Sequence, residues 1–290
     1  MFRPPLFVSL FASFFLSLIA PAVAQVPDAA DRATQQVKVA TYNIRFANPN
    51  DGDDVWPNRQ EFVIEYCRGN DIIGLQEVTE PQFAQLRAGL SDFDSYGVGR
   101  HDGKSGGEHA PIFYRQDKFE VLDKGTFWLS ETPEAVGVKG WDAALPRTCT
   151  WIHFRDRRNG AELYVANTHF DHRGAKARAE SGKLLAERLG KLPQELPILL
   201  MGDFNCLIGS EPYNAIVSAF TDARQASKSK PTGPTSTWNG FSKIAPDRII
   251  DHIFVRSVEV LQLAVDNPKT DQGRFASDHL PVQVVVSLAE

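Results

Sequence analysis

Short apolar runs rich in β-branched and aromatic residues alternate along this chain with longer segments of helical periodicity. Because such runs predict buried strands and the longer segments predict helices that cover them, the pattern indicates an α/β sandwich. Strands are predicted at VKVATYNI, DIIGLQEV, APIFYR, FEVLDKGTFWL, TCTWIHFRD, ELYVANTHF, LPILLMGDF, DRIIDHIFV, VEVLQLAV and PVQVVVSL. Helices are predicted at 58–68, 80–89, 174–191 and 211–219.

The chain has 290 residues, of which 42% are hydrophobic, so it can bury a large core. We predict one domain over residues 37–290, preceded by a flexible tail at 25–36 that lacks apolar periodicity. The longest polar stretch, residues 224–240, is rich in Lys, Pro, Gly and Ser and is predicted to be a mobile loop.

The first 24 residues are typical of a secretory signal peptide. A basic Arg3 precedes an apolar stretch from Leu6 to Ile19, and Ala22-Val23-Ala24 predicts cleavage before Gln25. The alternative is an uncleaved membrane anchor, which needs about 20 apolar residues. We therefore expect a secreted or periplasmic protein with no stable membrane anchor after cleavage.

Net charge and cysteine content limit the possible functions. Cleavage would remove Arg3 and no acidic residue, so the formal net charge of −5 would become −6. This balance disfavours a broad nucleic-acid-binding surface, although a small basic cleft is compatible with it. Cys67, Cys149 and Cys206 lack C-x-x-C spacing, which disfavours a zinc cage or a disulfide framework. Buried unpaired thiols are expected, with at most one bridge.

Polar side chains stand at the ends of six of the predicted strands. Each alone is compatible with a turn, a helix cap or a structural histidine. Together they predict a site, because strand ends position loop side chains at one edge of a sheet. These residues are Asn43, Glu77, His169, Asp203, Asn205, Asp251, Asp278 and His279.

The chemistry of this set indicates a hard-metal site. Glu77 and Asp278, with Asn43, supply the oxygen ligands that Mg²⁺ or Mn²⁺ prefers, whereas zinc would recruit cysteine or more histidine. Asp203 and Asn205 can orient or deprotonate a water and hold a phosphoryl oxygen. His169 and His279 are expected to stabilise developing negative charge as imidazolium donors.

Six sequence blocks occur in an order that resembles the endonuclease/exonuclease/phosphatase superfamily. They are TYNIR, GLQE, NTHFDH, GDFN, RIIDHIFV and SDHLPV, and they run from about Val37 to Val282. The resemblance implies a DNase I-like fold, a four-layer α/β sandwich of two mixed β-sheets flanked by helices. It also implies Mg²⁺-dependent hydrolysis of phosphate esters by in-line attack of water.

The resemblance also implies roles for individual residues. Asn43, Glu77 and Asp278 match its metal-side residues, and Asp203 with Asn205 matches its water-activating and phosphate-orienting pair. Asp251 matches the carboxylate that orients His279. Glu108 aligns with an acid that holds the second histidine, His169. Arg45 stands where abasic-site endonucleases carry an acid, which argues against that specialisation, and no membrane-contacting hairpin like that of bacterial sphingomyelinases is found.

The substrate stays open at the level of sequence. Arg147 and Arg173 are candidates for gripping a phosphate, because a guanidinium matches phosphate bidentately, or they are solvated surface residues. Trp238 is expected either to stack on a base or sugar or to pack the 224–240 loop. The leading hypothesis is a secreted, monomeric Mg²⁺-dependent phosphoesterase whose substrate is a phosphodiester or phosphomonoester of a nucleotide, a sugar or a lipid headgroup. The alternatives are a nuclease acting on DNA or RNA and a non-catalytic binding protein, which the intact motif residues disfavour.

Overall fold

The computed structural model describes residues 36–288 together with residues 1, 2 and 4. Apart from those three residues, the predicted signal peptide and the tail before Gln36 lie outside the described part of the chain. Two six-stranded mixed sheets, packed face to face, form the centre of the domain. The predicted four-layer α/β sandwich is confirmed.

The first sheet has the strand order β11-β12-β1-β2-β4-β3. Its strands β1 and β2 are parallel, and every other neighbouring pair is antiparallel. The bounds are β1 Gln36–Asn43, β2 Ile72–Gln76, β3 Phe93–Tyr96, β4 Ile112–Arg115, β11 Glu259–Val265 and β12 Val282–Ser287.

The second sheet has the order β5-β6-β7-β8-β10-β9. Here β7 and β8 are the parallel pair. The bounds are β5 Phe119–Trp128, β6 Thr148–Asp156, β7 Glu162–His169, β8 Ile198–Asp203, β9 Thr221–Asp222 and β10 Asp251–Arg256. All ten predicted strands are present. Strands β3 and β9 were not predicted, because β3 has the sequence FDSY with two polar residues at its centre and β9 has only two residues.

Helices cover the outer faces of both sheets. They are α1 Trp56–Arg68, α2 Glu80–Gly89, α3 Ala175–Gly190, α4 Glu211–Val217 and a single turn, α5 Ala223–Ala226, with a 3₁₀ turn at Gly52–Asp54. The four predicted helices are confirmed within two residues at each end. Proline in the first turn starts three of them, and a Thr79–Gln82 capping box fixes the start of α2.

Three apolar clusters form the interior. One lies between the two sheets and includes Val39, Ile72, Val165 and Met201. A second packs α1 and α2 on the first sheet, and a third packs α3 and α4 on the second. Strands β1 and β2 end at one edge of the first sheet, and strands β7 and β8 end at one edge of the second sheet. These two edges lie on the same side of the sandwich, where Asn43 and His169 emerge.

The 224–240 segment and the three cysteines were also the subject of predictions. The 224–240 segment is not a free loop: Lys228, Ser229 and Thr232 donate backbone hydrogen bonds to β11, and Trp238 forms a bridge to His279. All three cysteines are buried and free, as the spacing predicted. No helix in the described part of the chain is long and apolar enough to cross a membrane.

Candidate active site

The polar strand ends meet around an open cleft of about 510 Å³. Register explains the convergence: Asp203 at the end of β8 pairs with His169 on β7 and with Asp251 on β10. The lining residues are Arg45, Phe46, Glu77, Glu108, Leu145, Arg147, His169, His172, Asp203, Asn205, Trp238, Asp278 and His279. Of the predicted set, Asn43 and Asp251 lie beneath this surface and are almost completely buried.

Asn43 joins the two sheets under the cleft. Its Nδ2 donates to Asp203 Oδ2 at 2.9 Å and to Glu77 Oε1 at 3.2 Å, while its Oδ1 accepts from the backbone N–H of Arg45. Glu77 also accepts from the Phe46 N–H through Oε2. A carboxylate from each sheet is therefore held by one carboxamide, which makes Asn43 a positioning residue.

Three non-glycine residues at this edge have left-handed backbone conformations. Arg45, Glu77 and Asn205 have φ of 59°, 61° and 46°. Such values cost energy for non-glycine residues and cluster at functional sites. Gly202 has φ 152°, and a Cβ there would lie 2.1 Å from the Thr168 carbonyl oxygen, so only glycine lets β8 deliver Asp203 beside β7.

Asp251, His279 and Asp203 form a buried charged group. Asp251 Oδ2 lies 2.9 Å from His279 Nδ1, and His279 Nε2 lies 3.8 Å from Asp203 Oδ2. Burial disfavours the imidazolium, but the carboxylates of Asp251 and Asp203 outweigh it and raise the pKa of His279 well above its usual range. Burial, reinforced by Asp251, raises the pKa of Asp203. These shifts favour a cationic His279, the state that the expected donor role requires, beside a carboxylate with enhanced basicity.

His169 differs from the prediction. Burial, together with the cations Arg147 and Arg100, lowers its pKa well below the usual range. Asn205 Nδ2 lies 3.2 Å from His169 Nε2 and also donates to the Phe170 carbonyl. A neutral ring that accepts at Nε2 fits this geometry. The expectation that His169 is an imidazolium donor is therefore corrected: burial is the largest cause of the lowered pKa and the two cations add to it, although Asp203 Oδ2 lies 3.5 Å from His169 Nε2.

The carboxylates fit a hard divalent cation. Glu77 and Asp278 both line the cleft, and no hydrogen bond from a described residue reaches Asp278 Oδ2, which lies 4.0 Å from Arg45 Nη1. Asp203, Asp251 and His279 offer ligand atoms within 4.8 Å of one another, and no other described trio of His, Cys, Asp or Glu does so. His279 and Asp251 already bond each other, so the two cleft acids are the better oxygen ligands.

Arg147 is buried, and only 4% of the residue is exposed. Its Nε donates to Asp171 Oδ2 at 3.3 Å and its Nη2 contacts His172 Nδ1 at 2.9 Å. The third nitrogen, Nη1, is buried without a partner among the residues described. Arg173 is not brought into the cleft: its side chain is exposed, and its backbone N–H donates to Asp171.

Glu108 lines the cleft but does not hold His169. It forms a bidentate pair with Arg100 at 2.7 and 3.0 Å, and no hydrogen bond joins it to His169 in the described structure. The prediction that Glu108 holds His169 is therefore wrong, because Glu108 pairs with Arg100 instead. The physical reason is the isolated bridges of His109 to Val78 and Gly99, which bring Arg100 beside Glu108.

The pattern of the endonuclease/exonuclease/phosphatase family matches residues 40–279, most of the chain and every motif that forms the cleft. The chain belongs to this family. Its members hydrolyse phosphoester bonds and typically depend on a divalent metal, so the chain is a phosphate-ester hydrolase. The Asp203–Asp251–His279 cluster has ligand atoms close enough together to hold a metal ion.

Structures of proteins related to this family member have been solved. A family protein from Bacteroides vulgatus is 39% identical, with a TM-score of 0.83, and the match covers 88% of this chain and 99% of the other. A mannosyl-6-phosphatase from Bacteroides thetaiotaomicron VPI-5482 is also 39% identical, with a TM-score of 0.81 and coverages of 86% and 99%.

A curated relative is more distant. Nocturnin from Drosophila melanogaster is 27% identical over 174 residues, which are 56% of this chain and 25% of nocturnin. This family member spans about a third or less of the length of the curated relatives that it matches.

Several cleft residues of this family member were not predicted as site residues. Arg45 pairs with Asp51 at 3.0 Å. Arg100, which lies behind the cleft lining, supports Glu108. His172 follows the NTHFD run directly, which is the one signal that pointed to it. Trp238 lines the cleft with the Arg248 guanidinium 4.3 Å from its ring centre, so both expectations for it, packing and ligand contact, are compatible with its position.

Proposed function

We propose that this family member is an exported, Mg²⁺-dependent phosphatase that hydrolyses a phosphate monoester of a sugar. The observation that carries the proposal is Arg147, which lines the cleft of about 510 Å³ and whose buried Nη1 has no partner among the residues described. Buried donors are almost always satisfied, and a terminal phosphate supplies the missing acceptor. The cleft volume suits a small ligand better than a nucleic-acid strand.

The chain's own groups account for the proton chemistry. The Asp203 carboxylate, with its raised pKa, accepts a proton from the attacking water. His279 donates from Nε2 to a phosphoryl oxygen, while Asp251 fixes its ring and keeps it charged. Asn205 is oriented by its bond to the Phe170 carbonyl, and neutral His169 contacts the same carboxamide.

Glu77 and Asp278 would hold the cation, and Asn43 fixes the direction of the Glu77 carboxylate. When bound, a divalent cation supplies charge neutralisation at the phosphoryl oxygens. Mg²⁺ is proposed over zinc because the cleft donors are oxygen atoms.

The comparison supports a sugar phosphate as substrate class. One of the 39% identical relatives is a mannosyl-6-phosphatase, and the match covers nearly all of that protein. The net charge of −5 and the sequence pI of about 5.8 disfavour the alternative, a nuclease, because nucleic-acid-binding domains usually carry a basic surface.

The test is phosphate release by the purified protein from mannose 6-phosphate, compared with cleavage of bis(p-nitrophenyl) phosphate and nicking of plasmid DNA. We expect mannose 6-phosphate to be hydrolysed fastest in Mg²⁺, with activity lost on EDTA treatment and restored by added Mg²⁺. The isosteric Asp203→Asn variant is the inactive control. Rapid plasmid nicking without release of phosphate from the sugar would support the nuclease instead.

Export is proposed from the leader sequence alone. Expression of the whole chain in a Gram-negative host should yield a periplasmic protein that begins at Gln25, which N-terminal sequencing measures. An intact leader on membrane-bound protein would support the membrane-anchor alternative.

A further inference from the structure

A second cavity, larger than the catalytic cleft, opens at the other end of the second sheet. Its volume is about 1030 Å³, and it lies between the outer faces of β5, β6 and β7 and the segment 192–197 that follows α3. Strand β7 begins at this cavity with Glu162 and ends at the catalytic cleft with His169. Seven residue steps along a strand separate the two by roughly 23 Å.

An aromatic pair forms the floor of this cavity. Trp151 stacks on Tyr164 with ring centroids 5.3 Å apart and an interplanar angle of 14°. Gly125 is the cross-strand neighbour of Trp151, and a Cβ there would lie 2.7 Å from the indole Cζ2. The indole can therefore lie in this position only because residue 125 is glycine. Trp151 stays partly exposed in the cavity wall.

Carboxylates surround the aromatic pair. A bulge in β5 between Val121 and Asp123 brings Asp123 opposite His153 on the same face. Glu162 pairs with Arg155 and His153, whereas Asp123 and Glu195 have no salt bridge to any residue that the structure describes. Neither lysine nor arginine is among the described lining residues. This charge pattern excludes an anionic ligand such as a phosphate and offers acceptors to hydroxyl donors.

We infer that this cavity binds a neutral oligosaccharide. A sugar ring has an apolar C–H face that packs on Trp151 and a rim of hydroxyl groups that donate to Asp123 and Glu195. Asn159 and Ser257 add neutral hydrogen-bonding groups that a compact organic cation does not need. The volume, about twice that of the catalytic cleft, accommodates more than one ring. The site is independent of the proposed function, because binding here needs no hydrolysis.

The test is NMR titration of the wild-type protein with mannotriose, cellotriose and maltotriose, with choline as a cationic probe. We expect at least one trisaccharide to bind with a dissociation constant of about 1 mM or tighter. Trp151→Ala should weaken binding about 5- to 10-fold, and Glu195→Gln, at an exposed position, about 3-fold. Trp141→Ala, which removes an indole outside the cavity, should leave binding unchanged.

Asp203→Asn separates the two sites, because it should abolish hydrolysis and leave trisaccharide binding intact. Three results would overturn the inference: no saturable binding of any trisaccharide, binding that neither Trp151→Ala nor Glu195→Gln weakens, or Trp151-dependent binding of choline alone. If Trp151→Ala does not fold, Glu195→Gln decides the question by itself.

Discussion

Substitution of Asn43 by alanine tests whether the two sheets must be joined under the cleft for catalysis. The Asn43 side chain is fully buried and donates to the carboxylates of Asp203 and Glu77. Alanine removes both donors and leaves the Arg45 N–H without its acceptor. The Asp203 hydrogen bond from Asn43 lowers the pKa of that carboxyl, so its loss favours the protonated form, which cannot act as a base.

The magnitude follows from the lost contacts. Hydrogen bonds to charged groups contribute about 1.5–3 kcal/mol each. Because two such bonds are lost, we expect the free energy of unfolding to fall by about 3–6 kcal/mol. A carboxylate displaced by about 1 Å costs roughly 100-fold in rate, and kcat/KM should fall by that factor or more.

Asn70→Ala is the matched control for Asn43→Ala. Asn70 is also almost fully buried, donates to the Tyr66 carbonyl and accepts from Gln283, but it lies at the far end of the first sheet. It should lose about 2 kcal/mol of unfolding free energy with unchanged kcat/KM. Denaturant unfolding and steady-state phosphate release measure both quantities. The positioning role would be refuted if Asn43→Ala kept a wild-type kcat/KM. It would also be refuted if Asn43→Ala and Asn70→Ala lost the same factor in kcat/KM.

Three further outcomes are expected. Asp251→Asn should lower kcat by about 10²-fold or more with a folded protein by circular dichroism, because His279 loses the carboxylate that keeps it charged; an unchanged kcat would contradict this. Arg147→Lys should raise KM for a monoester about 10-fold, since lysine cannot replace the planar fork, and an unchanged KM would remove Arg147 from the substrate site. Gly202→Ala should reduce the free energy of unfolding by at least about 2 kcal/mol in urea, because its Cβ meets the Thr168 carbonyl; a stable variant would show that β8 can shift.

The strand ends were predictable because their signal is local. In each case an apolar run is followed at once by a charged residue, such as Asp203 or Glu77. Charged residues are rarely buried, so one placed directly after a buried strand stands out in the sequence. The roles that depend on charge were less predictable. Burial lowers the pKa of His169, and Arg147 and Arg100 approach it from distant segments and lower it further. Glu108 binds Arg100 instead of the histidine.

The sequence by itself determined ten of the twelve strands, the four main helices, the order of the motifs and the residue types that can hold a metal and a phosphate. These features follow from periodicity and from local composition, which act over a few residues. Only the tertiary structure decided which side chains meet. Asn43 joins Asp203 across 160 residues, and Trp151 lies over Gly125 in a second cavity, because sheet register and packing set such contacts.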